Sequence, residues 1–489
     1  MNVTEFLLAG KDPERRALLL LREECTYGEL RRRSDQVAQW ILRMGGQKGD
    51  RAVLIGENSL FWVAAYLGIM RAGLVCVPLP GSVTEQDLDH VLAITEARFV
   101  FAQSAFAARN SGKWGGLHMV TDRDAPWSDA PGSGISFPTM ERDDLAALMF
   151  TSGSTGQPRG VMVSHGNIIA NTGSIIQYLG LTERDRMMTV LPFHYCFGTS
   201  LLHTHLRAGA SMVLDSRFLY LETVLQRMLE TECTGFAGVP SHFQMLLRNS
   251  ILGQKKFPHL RHVQQAGGYL APSFIRELRE ALPDTRIFIM YGQTEATARL
   301  SYLPPELLDT KPGSIGKGMP GVTLRVVNES GEDVRCGEVG EIVAEGENVA
   351  RGYWCIPEES AKSFRGGKLY TGDLATVDED GYLYIVDRAK DFLKCGGKRV
   401  SCRQIEEQLL AFEDLTEAAV IGVPDDVLGE AVKAFVVPRS GDGVRLAERL
   451  AVFCKGRLQP QLVPKEIVVL PALPKSSAGK VVKSRLKTL

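Results

Sequence analysis

The 489-residue sequence lacks a strong charge of either sign. Its 56 Lys and Arg residues are balanced by 57 Asp and Glu residues, which leaves a formal net charge of -1. Without a positive field, the chain has no general attraction to nucleic acid or to acidic membranes. Long apolar runs are also missing, and charges soon interrupt the short apolar stretch in MNVTEFLLAGKDPERR. We therefore expect neither a signal peptide nor integral membrane association.

Paired cysteines are missing as well. The nine cysteines are scattered from Cys25 to Cys454, and none belongs to a Cys-x-x-Cys pair. This usage argues against a disulfide framework or a structural zinc site and favours reduced thiols in the cytoplasm. With 44% hydrophobic and 23% charged residues, the composition is typical of a soluble globular enzyme.

The pattern of helices and strands in the first 291 residues predicts an α/β fold with a largely parallel sheet. The stretch TYGELRRRSDQVAQWILRMGG predicts a helix with Thr26 as its N-cap. A strand (DRAVLIGENS), a helix (FWVAAYLGIMRAG) and a strand (LVCVPL) follow. The same alternation resumes between residues 167 and 291, as in proteins with parallel sheets.

The remainder of the chain predicts a β-rich segment and a small second domain. Hairpin turns are expected at residues 329–332, 336–337 and 380–381. From residue 390, a capping box of Ser401 and Gln404 predicts a helix, followed by strands at AAVIGV, AVKAFVVP and IVVL and a helix at LAERLAVFCKGRL. We predict a large N-terminal domain, 1–389, and a mobile α+β domain, 390–489, with the boundary inside residues 387–391.

A loop rich in glycine and hydroxyl side chains is the first candidate site. It follows the apolar run at 145–150 and precedes the helix-like NIIANTGSIIQYL, so we expect a strand, a loop and a helix that together bind phosphate. No Gly-Lys-Ser/Thr ending follows, which excludes a Walker loop, although a surface turn remains the alternative. The loop residues are Thr151, Ser152, Gly153, Ser154, Thr155 and Gly156.

Three further segments carry polar or charged side chains next to glycine or directly after an apolar run. YGQTE places Tyr291 and Glu295 after an apolar run, and YTGDL places Asp373 on an expected loop, where a carboxylate can accept both hydroxyls of a ribose. PKSSAGKVVKSRL presents Lys480 near the C-terminus. Taken singly, these segments also fit a capped turn, a hairpin corner and a basic tail.

Together and in this order, the segments resemble the adenylate-forming superfamily of acyl-CoA synthetases, peptide-synthetase adenylation domains and luciferases. The resemblance implies that the glycine-hydroxyl loop holds the pyrophosphate end of ATP and that Glu295 and Thr155 bind Mg²⁺, with Thr294 beside Glu295 at the phosphate. It implies that QAGGYLAP, with Gly267, Gly268 and Tyr269, packs on the adenine opposite Tyr291 in the YGQ segment (Tyr291, Gly292 and Gln293). Asp373 resembles the ribose-binding aspartate, and Arg388 the arginine beside the ribose and α-phosphate.

The resemblance also implies a two-step reaction. A carboxylate attacks the α-phosphate of ATP, and Lys480 bridges these two anions while Mg²⁺ shields the pyrophosphate. A thiol of CoA, or of phosphopantetheine on a carrier protein, then attacks the acyl-adenylate. A rotation at the hinge, with Lys390 at the pivot, separates the steps, and Lys394 falls where relatives present a residue in the thioester-forming state.

The acid pocket is implied by two further segments. The first segment, LPFHYCFGTSLLHTH, contains His194 near a gating position, together with Tyr195 and Phe197. The second, GFAGVPSH, contains Gly238 and Val239, and Gly268 is the remaining pocket residue. His194 is a candidate catalytic residue, and the alternative is that it is only a packed side chain. Because 193–195 carries no aspartate and 235–242 is small and neutral, an uncharged aryl or aliphatic acid is favoured. Arg159 replaces the usual lysine of the phosphate loop, which keeps the charge and changes its geometry.

Four functions fit these motifs to different degrees. An AMP-forming acyl-CoA ligase, acting as a monomer or homodimer, comes first, and an enzyme that loads a separate acyl carrier protein comes second. A nucleotide-binding regulator without catalysis would have no need of Lys480, and a P-loop kinase or ATPase fails on the loop spacing. The products separate them, because ligases release AMP and pyrophosphate whereas kinases release ADP.

Overall fold

The structure is a computed structural model that describes residues 1–125, 136–152, 157–388, 392–395, 398–425, 428–439, 443–476 and 479–489. In these residues the chain forms four β-sheets with helices packed on them, which confirms the predicted α/β class. No helix of this described part is both long enough and apolar enough to cross a bilayer. All nine cysteines are free thiols.

The first part of the chain forms a mostly parallel sheet and its helices. Its strand order is β6-β5-β3-β4-β7-β8, in which β8 alone runs antiparallel to its neighbour among the described strands. The elements up to residue 179 are α1 (Val3–Leu8), β1 (Arg16–Leu19), β2 (Glu24–Thr26), α2 (Tyr27–Arg43), β3 (Arg51–Ile55), α3 (Leu60–Arg71), β4 (Val75–Leu79), α4 (Glu85–Thr95), β5 (Phe99–Ala102), α5 (Ser104–Arg109), β6 (His118–Thr121), β7 (Leu145–Ser152), β8 (Pro158–Ser164) and α6 (His165–Leu179).

Local chemistry explains the predicted elements of this part. The Thr26 side chain accepts a hydrogen bond from the Glu29 amide at 3.2 Å, and α2 ends just before Gly45, whose φ is 77°. A threonine N-cap and a left-handed glycine after the last turn are common helix ends. The predicted helix at α3 and the strands β3 and β4 are likewise confirmed.

A second sheet follows, with strand order β15-β14-β13-β12-β11-β9-β10-β1-β2 in the described chain. The large hydrophobic core lies between the two sheets, where α3 is buried on all sides, as suits a helix between two apolar layers. The new elements are β9 (Arg186–Thr189), α7 (Cys196–Ala208), β10 (Ser211–Leu214), α8 (Leu221–Glu230), β11 (Gly235–Gly238), α9 (Pro240–Asn249), β12 (His262–Gln265), α10 (Pro272–Ala281), β13 (Arg286–Tyr291), β14 (Ser301–Leu303) and β15 (Lys317–Gly318).

The third sheet is antiparallel and contains the predicted hairpins. The turn at 380–381 is confirmed, with Gly381 at φ 81°, and the turns at 329–332 and 336–337 both lie in the connection between β16 and β17. The elements are β16 (Val322–Val327), β17 (Gly340–Gly346), α11 (Pro357–Ser363), β18 (Phe364–Arg365), β19 (Lys368–Val377) and β20 (Leu383–Arg388).

The fourth sheet belongs to the C-terminal region and carries its own hydrophobic core. Only the Ser401 half of the predicted capping box is formed, with the Gln404 amide donating to Ser401 Oγ at 3.4 Å, because Ser401 is also the last residue of a strand. The elements of this region are β21 (Phe392–Cys395), β22 (Lys398–Ser401), α12 (Cys402–Leu410), β23 (Leu415–Asp425), β24 (Gly429–Pro438), α13 (Gly443–Lys455), β25 (Glu466–Val469) and α14 (Lys483–Leu486). The predicted helices are confirmed as α12 and α13 and the predicted strands as β23, β24 and β25, whereas β21, β22 and α14 were not predicted.

Candidate active site

The predicted phosphate loop connects two antiparallel strands and does not lead into a helix. Thr151 of β7 lies opposite Arg159 of β8, and α6 begins only at His165. The predicted strand and helix are confirmed as β7 and α6, but the expectation that the loop leads directly into the helix was wrong, because β8 lies between them. The alternating burial of Val161, Met162 and Val163 makes this segment a strand, and Pro158 does not suit a helix interior. Gly153, Ser154, Thr155 and Gly156 lie outside the described residues, and Ser152 is described by its backbone alone.

Arg159 points away from solvent and has two partners beside the loop. Its guanidinium lies 4.7 Å from the ring centre of Tyr353, and its Nη1 lies 3.2 Å from Glu359 Oε2. The positive charge of Arg159 is thus paired with a carboxylate of α11. Tyr353 was missed by sequence reasoning, since it belongs to a segment far from the recognised motifs.

Glu295 lies on a short turn that follows β13. Its carboxylate accepts a hydrogen bond from the Tyr353 hydroxyl at 2.9 Å, and burial together with the negative charge of Glu295 raises the pKa of Tyr353. Thr294 donates to Cys196 Sγ at 3.3 Å. Thr297 holds a φ of 67°, an unusual conformation for a β-branched residue, which is typical of a functional turn. Sequence and structure thus bring the Thr294–Glu295 pair, Tyr353 and Arg159 into one cluster.

The nucleotide side of the site is built by β13 and β19. The Tyr291 hydroxyl donates to Asp373 Oδ2 at 2.6 Å, and Asp373 is buried. The prediction that Asp373 lies on a loop was wrong, because it lies within β19, opposite Arg388 of β20. The neighbouring Gly372, with a φ of 73°, interrupts the regular strand and explains the loop-like sequence. Arg388 is described by its backbone alone.

The remaining residues of the YGQ segment are held against neighbouring backbone. A Cβ on Gly292 would lie 2.1 Å from the Ala298 carbonyl oxygen, so only glycine fits there. The Gln293 amide donates to the Thr371 carbonyl at 3.5 Å. These contacts fix the turn that carries Thr294 and Glu295 next to the strand that carries Asp373.

Gly267 is the point where the predicted acid pocket and Lys480 meet. It has a φ of 85°, and a Cβ there would lie 2.9 Å from Tyr195 Oη, 3.0 Å from Val239 and 3.4 Å from Lys480 Cε. On the next residue, Gly268, a Cβ would contact Pro240, and on Gly238 it would contact His242 and Phe243. The three glycines therefore allow neighbouring groups to approach the backbone more closely than a side chain would permit.

Lys480 reaches this point from the C-terminal region. Its Nζ lies 5.0 Å from the ring centre of Tyr195, and its backbone amide donates to Ser476 Oγ. The preceding Gly479 accepts a hydrogen bond from Ser241 Oγ at 3.0 Å. Burial raises the pKa of the Tyr195 phenol, and the positive charge of Lys480 opposes this rise. The structure thus brings Lys480 together with the Tyr195–Cys196 segment that Thr294 contacts.

His194 is half-buried beside these residues. Burial lowers its pKa to about 4, so the imidazole is neutral near pH 7 and a weak base. Its neighbour Phe193 is fully buried against Trp62, with ring centres 5.4 Å apart, and Phe197 is buried as well. The role of His194 as a catalytic residue stays a prediction.

A second contact joins the two parts of the chain at the predicted adenine-binding segment. The Arg403 guanidinium of α12 lies 3.3 Å from the ring centre of Tyr269, and Arg403 also donates to the Ile385 carbonyl. Asp387 accepts a hydrogen bond from Ser401 Oγ at 2.8 Å. Lys390, the predicted pivot, lies outside the described residues, and Lys394 is described by its backbone in β21 alone.

Comparisons with known proteins agree with this geometry. Residues 8–354 match the model of the AMP-binding enzyme family, and residues 404–480 match the AMP-binding enzyme C-terminal domain. The chain belongs to this family of adenylate-forming enzymes.

Relatives of this family match nearly the whole chain. It is 30% identical to a 2-succinylbenzoate–CoA ligase of Geobacillus sp. (strain WCH70), with 98% of this chain and 95% of the relative covered. It is 32% identical to a feruloyl-CoA synthase of Amycolatopsis sp., with 94% and 93% covered. The crystal structure of ATP-bound MatB from Rhodopseudomonas palustris superposes with a TM-score of 0.90 at 30% identity, covering 100% of this chain and 99% of that one.

Proposed function

We propose that the protein is an AMP-forming ligase that activates a carboxylic acid with ATP and transfers the acyl group to the thiol of CoA. The observation that carries this proposal is the position of Lys480. Its ammonium group lies against Tyr195 and Gly267, one residue from Cys196, which Thr294 contacts. A protein that only bound nucleotide would have no need of a cation at this point.

In the first step, a carboxylate oxygen attacks the α-phosphorus of ATP, and the bond between the α-phosphate and pyrophosphate breaks. The products are an acyl-adenylate and pyrophosphate. Lys480 lies between the two anions and lowers the repulsion as the new bond forms. Asp373, fixed by Tyr291, accepts hydrogen bonds from the ribose hydroxyls. Arg388 is the residue that we expect to act on the α-phosphate.

The described residues fit a Mg²⁺ site with one protein carboxylate better than a site built entirely from protein ligands. The described residues contain no group of three or more His, Cys, Asp and Glu side chains that could hold an ion. Mg²⁺ is usually held by one or two carboxylates together with substrate phosphates and water, and Glu295 is placed to supply one of them. When bound, Mg²⁺ neutralises charge on the departing pyrophosphate, while Tyr353 keeps the Glu295 carboxylate in position.

In the second step, the thiol sulfur attacks the acyl carbonyl, the bond from the carbonyl carbon to the AMP oxygen breaks, and the thiol proton is released. We infer that the region after residue 390 rotates about residues 387–391, with Lys390 at the pivot, and that Lys394 enters the site in this state. Support comes from the kind of contact that joins Lys480 and α12 to the rest of the described chain, which includes a part-buried hydrogen bond of Ser241 with Gly479 and the stack of Arg403 on Tyr269.

The acceptor and the acid are tested together. We expect a panel of acids with ATP to release pyrophosphate and AMP, and we expect a thioester with CoA. A thioester formed only with the phosphopantetheine of a carrier protein would replace CoA as acceptor, and release of ADP would overturn the proposal. The prediction of an uncharged acid rests on the small, neutral residues 235–242, whereas the structure also contains a buried arginine, Arg299, stacked on Phe197.

A further inference from the structure

Arg299 is a fully buried cation that the reaction described above does not use. It is 1% exposed, and its Nε and Nη2 have no hydrogen-bond partner. Among the described residues, no carboxylate forms an ion pair with it; its polar neighbour is the Tyr178 hydroxyl of α6. A buried charge without a counterion is costly, so its presence calls for an explanation.

The backbone around Arg299 holds the side chain in place. A Cβ on Gly292 would lie 2.7 Å from Arg299 Cα, and the Arg299 carbonyl accepts hydrogen bonds from Asn348 at 2.8 Å and Asn171 at 3.2 Å. Arg299 thus belongs to the same fixed turn as Thr294 and Glu295. The guanidinium is held inside the protein by the turn that carries the catalytic motif.

Arg299 and Lys480 lie on rings of the same short segment. The Arg299 guanidinium carbon is 4.4 Å from the ring centre of Phe197, and Lys480 Nζ is 5.0 Å from that of Tyr195. Cys196 lies between the two rings, and both cations act to lower the pKa of its thiol and that of the Tyr195 phenol, against the effect of burial. Two positive charges therefore lie over rings of the segment that supplies the predicted acid pocket.

Two other arginines that stack on rings show what is unusual about Arg299. Arg248 lies 4.6 Å from the ring centre of Phe274 and is paired with Glu277, and Arg159 lies over Tyr353 and is paired with Glu359. In each case a carboxylate of the protein balances the charge. Arg299 is more deeply buried than either, and no carboxylate of the described residues balances its charge.

We propose that Arg299 binds a second carboxylate of the acid substrate, so that the protein activates dicarboxylic acids. One carboxylate meets Lys480 and reacts with ATP, while the other pairs with Arg299 and stays unreacted. This inference rests on the proposed ligase function and replaces the expected uncharged acid. The planar guanidinium can bind a carboxylate through two parallel hydrogen bonds, which the unpartnered nitrogens of Arg299 offer.

The test compares straight-chain and aromatic dicarboxylic acids with their monomethyl esters, which keep the length and one carboxylate. For the best acid, we expect kcat/KM for pyrophosphate release to exceed that of its ester by about 100-fold. Arg299→Met should bring this ratio close to one. Arg248→Met, which also removes a ring-stacked arginine, should leave the ratio unchanged.

Separate outcomes distinguish the two proposals. If the esters give AMP and thioester as efficiently as the diacids, or if Arg299→Met leaves the ratio unchanged, the role of Arg299 is wrong and the ligase function stands. If no acid gives AMP, both fail. Should Arg299→Met not fold, Arg299→Lys keeps the charge without the planar fork and should reduce the ratio about tenfold or more, while an unchanged ratio overturns the inference.

Discussion

The two parts of this active site are held together in different ways. Before residue 389, its carboxylates are fixed by short, buried hydrogen bonds, from Tyr291 to Asp373 at 2.6 Å and from Tyr353 to Glu295 at 2.9 Å. The C-terminal region instead meets the first part through the Ser241–Gly479 hydrogen bond and the stack of Arg403 on Tyr269. Two further bonds, from Ser401 to Asp387 and from Arg403 to the Ile385 carbonyl, lie next to the predicted hinge.

This difference indicates a division of tasks. We propose that the buried network binds ATP in one geometry, whereas the part-buried contact of Ser241 with Gly479 breaks and re-forms at little cost. In this proposal, Lys480 reaches the acid for one step and leaves for the next. If this division is right, substitutions in the C-terminal region should slow only one of the two reaction steps, whereas substitutions in the first part should weaken ATP or Mg²⁺ binding.

The largest effect is expected from Lys480→Ala. Without the ammonium group, the carboxylate and the α-phosphate meet unshielded, and acid-dependent ATP–pyrophosphate exchange should fall by roughly 100-fold or more. Thioester formation from a chemically supplied acyl-adenylate should largely survive. Lys487→Ala, at an exposed lysine of the same segment, is the control. Equal damage to both steps would mean that Lys480 supports the fold.

Asp373→Ala tests the fixed part of the site. The loss of ribose contacts should weaken ATP binding by about 1.5–3 kcal/mol, the value of hydrogen bonds to a charged group. The KM for ATP reports this change, with the KM for the acid nearly constant. Asp380→Ala, which removes an exposed partner of Lys311, should leave both unchanged. An unaltered KM for ATP in a folded variant would contradict the ribose assignment.

Sequence motifs selected residues that the structure brings close together, but they did not predict the contacts that hold them. Tyr291 bonds to Asp373, Glu295 lies on the turn that follows Tyr291, and Lys480 lies near Tyr195. The roles of these residues stay predictions. These short sequence patterns do not predict which residues hold the site side chains in position. Tyr353 lies 58 residues from Glu295, and such long-range pairs follow from the packing of β8 against the segment after β17.

Two local errors have the same origin. The alternation of Val161, Met162 and Val163 spans too few residues to be told from the start of a helix, and Asp373 looked like a loop residue because Gly372 precedes it. Both segments are strands because they pair with a neighbour: β8 pairs with β7, and β19, which contains Asp373, pairs with β20. Arg299 was missed for another reason, since an arginine after a motif is usually exposed, and only its burial marks it.

Tyr353→Phe should have a moderate effect confined to the metal. Removal of the hydroxyl frees the Glu295 carboxylate from its orienting bond, and the Mg²⁺ concentration for half-maximal activity should rise about tenfold. A Mg²⁺ titration at saturating ATP measures it. Tyr384→Phe removes a similar bond to Asp378 outside the site and serves as the control. A change in the KM for the acid without one for Mg²⁺ would contradict this role.

The smallest effect is expected from Arg403→Ala. This substitution tests most directly whether the contacts of the C-terminal region favour one of two orientations. The stack on Tyr269 contributes about 0.5–2 kcal/mol to the orientation in which Lys480 faces the acid. Its loss should lower ATP–pyrophosphate exchange about three- to tenfold and leave thioester formation from supplied acyl-adenylate equal or faster, because the region is then freer to turn. Arg365→Ala, which removes a stack on Tyr370 within the first part, should alter neither step. If Arg403→Ala slowed both steps equally, the stack would stabilise the fold and would not select between two orientations.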